Sequence, residues 1–311
     1  MALTLVEMSK MALGKDMIPL SVVMELYARN ADVLQYLPID DITGNAMQFL
    51  REAALPNVGF RGVNEGYTEG TAQLDKIIES LSIAGGDLDV DKFLVDTGGP
   101  NIRATQESLK IKALSLSLAK TVIKGDIDTD PKSFDGLQAR CTGNQIVAAG
   151  STAGGDVLSL AKLDELIDVT EEPTHLIMNK TMRRRLTAAA RNSAVGGYIT
   201  YDVDMFGRQI VKYNDLPILI ADKDNTYADV MPFTEVCPGG GGNTGTSIYC
   251  VSFMEDGVLG IQNGTMSVRD LGELEDKPVY RTRVEWYMTL AILRKRSATR
   301  LWGIKDGSVV V

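Results

Sequence analysis

The glycine run Gly239 to Gly242, followed by Asn243, Thr244, Gly245, Thr246 and Ser247, has the residue types of a phosphate cradle. A P-loop also needs a lysine beside its Ser/Thr so that one charge reaches the phosphates, and none stands there. The run leads into a strand-like segment, so no helix N-terminus faces an anion, and it reads as a flexible surface loop. Arg183, Arg184 and Arg185 concentrate positive charge, but on a helix they point about 100° apart and cannot form one nucleic-acid face. They read as solvated helix surface or intersubunit ion pairs. Arg281 and Arg283 alternate on a strand and share a face, where they can meet DNA phosphates or a neighbour's carboxylates. Acidic pairs such as Asp40-Asp41 and Glu171-Glu172 read as solvated loops. Cys141, Cys237 and Cys250 lack CxxC spacing and support neither a disulfide framework nor a zinc site. The single histidine, His175, sits at the mouth of an apolar run and reads as a packed strand-edge residue. No GxSxG nucleophile motif occurs. The sequence thus calls for no catalytic residue, metal or cofactor, and the expectation is a protein that is not an enzyme.

The elements that position these residues centre on Asn101 to Ile123. Ile111, Leu114, Leu118 and Val122 recur at helical spacing, and Leu109, Ala113 and Leu116 are expected to widen the stripe. Gly98, Gly99 and Pro100 break the chain before it, and Gly125 stops it. At about 1.5 Å per residue the helix is roughly 35 Å long, a strut for other elements to lean on. Upstream, Met1 to Lys15 reads as a terminal arm, Met17 to Asn30 as a short helix, and a further turn runs to Leu37 before Pro38. Ala46 to Leu55 is expected to be a strand. NVGFRGVNEGYTEG then carries Gly59, Gly62, Gly66 and Gly70, so the region Asp41 to Lys76 reads as a long glycine-tipped hairpin. A hairpin with so little apolar surface beneath it needs a neighbour. KIIESLSIAGG and DKFLVDTG read as two short strands. Val157 to Ile167 reads as an amphipathic helix, Thr174 to Met178 as a buried strand, and Lys180 to Arg191 as a helix capped by Asn179. Strands are expected over Phe206 to Val211, Pro217 to Ala221, Ser247 to Phe253, Val258 to Gln262 and Tyr280 to Leu293. The middle of the chain is a mixed α/β unit.

The 311 residues carry 44% hydrophobic and 23% charged side chains, a globular composition, with a formal net charge of −9. Such acidity argues against gripping nucleic acid over the whole surface, and 6% aromatic content argues against base-stacking platforms. No run approaches the roughly 20 apolar residues of a membrane span, and the N-terminus does not read as a signal peptide, so assembly in the cytoplasm is expected.

The order of these pieces resembles the HK97-like major capsid proteins of tailed bacteriophages, an α+β fold. LSLAKTVIKGDIDTDPKSFDGL is similar to that family's spine helix running into its turn. PTHLIMNKTMRRRL is similar to its strand-to-helix step, MFGRQIVKYNDLPILIAD to a strand pair, and YCVSFMEDGVLGIQ to a later strand and turn. The resemblance implies an N-terminal arm (1–40), an extended E-loop (41–80), a peripheral domain (81–150) holding the spine helix (101–123), an axial domain (151–265), and a return to the peripheral domain (266–311). It implies a shell subunit that meets its own copies in pentamers and hexamers around double-stranded DNA, which it contacts weakly and without sequence specificity. Arg51, Phe60, Arg61, Glu65, Tyr67, Glu69, Arg281, Arg283 and Arg294 are the expected intersubunit contacts. The loop offers no lysine before Lys76, so a shell without covalent crosslinks is expected. A separate scaffolding protein and a portal are implied, a decoration protein is allowed, and the place of the protein is the virion. An encapsulin-type nanocompartment shell is the alternative. From a different class, a small-molecule enzyme with nucleotide near Gly239 would betray itself by a thermal shift with nucleotides.

Overall fold

The computed structural model describes residues 4–5, 31–98, 100–150, 154–191, 197, 199–203, 207–238 and 244–310. The expected helix over Met17 to Asn30 and the glycine run Gly239 to Gly242 lie outside them. In chain order the elements are α1 (Asp32–Tyr36), β1 (Ile39–Asp41), β2 (Ala46–Ala54), β3 (Gln73–Ser80), β4 (Ser82–Asp91), α2 (Lys92–Gly98), α3 (Pro100–Lys124), α4 (Leu137–Arg140), β5 (Ile146–Ala148), β6 (Asp156–Ser159), α5 (Leu160–Val169), β7 (His175–Met178), α6 (Lys180–Ala189), β8 (Ile199–Val203), β9 (Gln209–Tyr213), β10 (Leu216–Ile220), β11 (Glu235–Val236), β12 (Thr244–Val251), β13 (Val258–Gln262), β14 (Ser267–Glu273), β15 (Val279–Ile292) and β16 (Ala298–Val310).

They build three sheets. A five-stranded sheet runs β1-β13-β15-β14, with β4 added along β15; a nine-stranded sheet runs β5-β16-β12-β7-β10-β9-β8, with β6 on β16 and β11 on β12; β2 and β3 pair only with each other. The middle strands of the nine-stranded sheet, β7, β10 and β12, send alternate residues into two cores. Ile177, Leu219, Tyr249 and Val251 join the core that holds α1, α3 and the five-stranded sheet. Leu176, Met178, Ile218, Ile248 and Cys250 point the other way, into a second core with α5 and α6.

The helix α3 is the wedge between the sheets. Ile111, Leu118, Ala119, Val122 and Ile123 are buried, and Leu114 packs against them, as the spacing predicts. Leu109 departs from expectation: it is 55% exposed, because it lies two positions, about 200°, from Ile111 on the helix wheel. The helix stops at Gly125, whose N–H reaches the Thr121 carbonyl at 2.7 Å, and Gly136 N–H returns to the Gly125 carbonyl at 2.9 Å. A Cβ on Gly125 would lie 2.2 Å from the Phe134 carbonyl oxygen and 2.5 Å from that of Thr121. Close approach of the returning chain, not a left-handed backbone, demands glycine there.

Further expectations are corrected. DKFLVDTG is a helix after its first residue, since Asp91 Oδ1 accepts the Phe93 N–H at 2.8 Å and caps the turn. The stretch from Val157 splits into β6 and α5, because Val157 pairs with Lys305 on β16. The strands β14 and β16 were not expected. β16 is central, paired with β12 on one side and with β5 and β6 on the other, so it is buried on both faces and shows no alternation over its first half. KIIESLSIAGG, expected as one strand, is divided at Leu81 between β3, which pairs with β2, and β4, which pairs with β15. The other expected strands agree within a few residues at each end, and Asn179 caps α6 by accepting the Met182 N–H at 2.7 Å.

Candidate assembly surface

Two regions stand out: a hairpin that projects, and an ionic junction that ties the long helix to the nine-stranded sheet. In the hairpin, β2 and β3 pair from Ala46↔Ser80 out to Ala54↔Gln73, with Arg51 opposite Asp75. Only its base is anchored. Met47, Phe49 and Leu81 pack on Leu259, Ile261 and Ala291, and Glu79 forms a bidentate ion pair with Arg140. Beyond the base, Leu50, Leu55, Val58, Phe60, Val63, Tyr67, Leu74 and Ile78 are all exposed. The tip has local order of its own. Glu65 accepts the Gly62 N–H at 2.9 Å, Arg61 lies 5.2 Å from the centroid of the Tyr67 ring, and Gly70 closes the neck against the backbone of Asn57. The tip therefore gathers Phe60, Arg61, Glu65, Tyr67 and Glu69 into one exposed segment. A solvent-facing cluster of this size on a two-stranded ribbon has the physics of a docking element.

The other expected contacts lie elsewhere, and each has carboxylates of its own chain. Arg281 and Arg283 share a face of β15, as alternation requires. Opposite them on β4 stand Asp89 and Asp87, and both pairs are bidentate at 2.6–2.8 Å. The guanidinium hydrogen bonds hold both aspartates below the usual carboxylate range. The legible signal was the matched spacing of Asp87-x-Asp89 and Arg281-x-Arg283. Arg294 bonds Glu172 at 2.7 Å and Asp256 at 3.2 Å. The triplet diverges as expected: Arg185 pairs with Asp306 at 2.9 Å, and Arg184 is exposed.

The junction was missed from sequence. Lys120 and Lys124, one helical turn apart at the end of α3, reach two buried acids of the nine-stranded-sheet side. Lys120 Nζ lies 2.8 Å from Asp224, whose side chain is 2% exposed, and Lys124 Nζ lies 2.9 Å from Glu235. Asp224 also accepts from the Thr226 hydroxyl and the Thr226 and Ala228 amides. The Lys120 ammonium, followed by these donors, holds its carboxyl far below the usual range. At Glu235 burial is the largest influence and opposes ionisation, yet Ser247, Lys124 and Arg300 together keep the carboxyl low. Arg300 donates to Glu235 at 2.8 Å and to Ser247 at 2.9 Å, and lies within 6 Å of the Tyr249 and Trp302 ring centroids. The only sequence signal was a pair of lysines four apart, off the apolar stripe of α3.

Among the described residues no group of three or more His, Cys, Asp or Glu is placed to hold a metal ion, and no helix is long and apolar enough to cross a membrane. The acidic turn uses its carboxylates on itself: Asp126 accepts from Asp128 N–H and the Thr129 hydroxyl, and Asp135 from Ile127 N–H.

Residues 20–163 match the family model of the major capsid protein GP7. By sequence, none of the curated proteins matches the chain significantly. Solved structures do match in fold. The SrpI encapsulin of Synechococcus elongatus PCC 7942 superposes at a TM-score of 0.61 with 17% identity, over 90% of this chain and 89% of that one. The capsid of a native GTA particle does so at 0.59 and 15%, over 88% and 90%. A chain from Mycobacterium phage Bobi gives 0.59 and 13%, over 89% and 91%. This is an HK97-like capsid fold. The helix α3 covers the residues expected as the spine helix, and the β2–β3 hairpin lies within those expected as the E-loop.

Proposed function

We propose that this chain is the major capsid protein of a tailed bacteriophage, the subunit of an icosahedral head enclosing double-stranded DNA. The observation that carries this reading is the E-loop: an ordered hairpin anchored at its base, with an apolar tip that its own body leaves uncovered. The E-loop reaches over neighbouring copies; the expected N-terminal arm lies mostly outside the described residues, and its end, α1 and β1, packs into the chain's own core. The peripheral part (81–150 and 266–311) and the axial part (151–265) make the remaining contacts in pentamers and hexamers. Arg51, Phe60, Arg61, Glu65, Tyr67 and Glu69 are the intersubunit residues of the loop. Arg281, Arg283 and Arg294, already paired within the chain, join the interface by sharing those carboxylates. A separate scaffolding protein and a portal are the partners, a decoration protein is allowed, and assembly takes place in the host cytoplasm. The reading assigns no catalytic step.

The test is negative-stain microscopy of the expressed chain, beside a deletion of Asn57 to Gly70. Wild-type protein is expected to give closed particles, and the deletion a folded subunit with the same thermal midpoint and no stable particles. Normal particles from the deletion would remove the E-loop from its role. The likeness to an encapsulin favours a second reading, a nanocompartment shell. Particles isolated from the natural source decide between them: packaged duplex DNA supports the head, and a cargo protein without DNA supports the compartment.

A further inference from the structure

Asn263–Gly264 is the chain's only Asn-Gly step, and it lies in the exposed turn between β13 and β14, where the β2–β3 hairpin joins the body. The connection from β1 to β2 crosses that turn and is tied to it by hydrogen bonds. Ile42 N–H reaches the Gln262 carbonyl at 2.8 Å. Asn263 Nδ2 donates to the Gly44 carbonyl at 2.6 Å, and Gly264 N–H donates to Asp41 Oδ1 at 3.0 Å. At the root of the other hairpin strand, Leu81 N–H meets the Asn45 carbonyl at 2.9 Å. The side-chain amide of Asn263 therefore holds the first residues of the hairpin, and it does so through its nitrogen, since a carbonyl needs a donor.

The same turn has the parts for a reaction of that amide with its own backbone. The Gly264 nitrogen and Asn263 Cγ are near enough along the chain to close a ring, a closure that the next side chain ordinarily crowds. Gly264 has no side chain, and a Cβ built on it would meet nothing within 4 Å among the described residues. Its N–H already points at a carboxylate, within the hydrogen-bond reach a general base requires. We propose that Asn263 is a self-modification site, converted to aspartate or isoaspartate with Asp41 as the base, and that the conversion loosens the footing of the hairpin. Asp41 takes the Gly264 amide proton as that nitrogen attacks Cγ. A C–N bond forms to give a succinimide, the Cγ–Nδ2 bond breaks, and the proton leaves with the amide nitrogen as ammonia. Water then adds to either ring carbonyl and opens the ring. Nothing is oxidised or reduced; one water enters and one ammonia departs. The product sets a carboxylate against the Gly44 carbonyl and beside that of Asp41, acceptor facing acceptor where a donor had been.

The experiment incubates the whole folded chain in ¹⁸O-water at pH 8 and 37 °C and follows its peptides by mass spectrometry. Position 263 is expected to gain heavy oxygen before any other asparagine. Asp41→Asn keeps an oxygen for the Gly264 N–H but removes the base, and is expected to slow the reaction about tenfold or more. In urea the two chains should react at one rate, because the carboxylate no longer faces the turn. A folded chain that stays intact at 263 while the unfolded one reacts overturns the proposal, and so does an Asp41→Asn chain with the wild-type folded rate. Asn263→Asp supplies the product in advance. It is expected to speed hydrogen exchange at the Ile42 and Leu81 amides roughly tenfold, while Ile177 in the nine-stranded sheet keeps its rate. Unchanged exchange at Ile42 and Leu81 would separate the modification from the hairpin and overturn that half of the proposal. Neither readout needs assembled particles, so the outcome is independent of the shell reading.

Discussion

His175 stands with its ring between Tyr36 and Phe253, at centroid distances of 4.8 and 5.3 Å. Its Nδ1 lies 2.9 Å from the Thr174 hydroxyl. That hydroxyl donates to the Val251 carbonyl and accepts the Phe253 N–H. Nδ1 must therefore carry the proton, and Nε2 is the bare nitrogen. Burial pushes the imidazole down from 6.5 to about 4, so the folded chain keeps it neutral while the unfolded chain charges it below pH 6.5. The unfolded state then binds more protons between pH 6.5 and 4, and stability falls as pH drops through that window, levelling off once the folded form is protonated too. The loss is at most about 3 kcal/mol. In His175→Phe this part of the acid sensitivity is expected to vanish. Denaturant melts of both subunits at pH 7 and 4.5 should converge at the lower pH by about 2–3 kcal/mol. A difference between them that is the same at both values would show that the ring charge has no part in it.

The spine helix shows where an element is legible and where it is not. Its stripe, its start beside Pro100 and its stop at Gly125 could be read from spacing and from two residue types, because an apolar face and a break are local properties. Gly125 adds a prediction at this scale. Its Cβ position is taken by two carbonyl oxygens of the backbone, which cannot swing aside as a side chain would. Gly125→Ala should destabilise the subunit by at least about 2 kcal/mol, seen as a thermal midpoint several degrees lower. An unchanged midpoint would mean that the turn through Gly136 yields at no cost. The E-loop was equally legible, since alternation and glycine spacing are written in its own residues. The helix α2 was hidden because Phe93 and Leu94 give no periodicity in so short a run. β16 was hidden because a strand buried on both faces has none to give. The junction of Lys120 and Lys124 with Asp224 and Glu235 spans about 100 residues of sequence, and no local pattern announces which distant acid a lysine will meet.

Over the whole molecule the notable property is how many cations are already engaged. Arg103, Lys120, Lys124, Arg140, Arg281, Arg283, Arg294 and Arg300 all sit beside carboxylates of their own chain. With a net charge of −9 besides, little positive potential is left to displace counterions from a phosphate backbone. A DNA-binding protein that neutralises several phosphates binds non-specifically at about 10⁻⁴–10⁻⁶ M in physiological salt and weakens steeply as salt rises. This subunit is expected to fall short of that range. Anisotropy of labelled 30-bp duplexes of two unrelated sequences at 0.15 M salt should give no saturation below about 10⁻⁴ M and no preference between them. Micromolar binding with a steep salt slope would mean that a cationic face lies open on the surface, and that a shell of these subunits grips its contents. Weak binding has the opposite physical consequence. A stiff polymer enclosed by a wall it does not adhere to is retained by closure alone, and it remains free to slide when a passage opens.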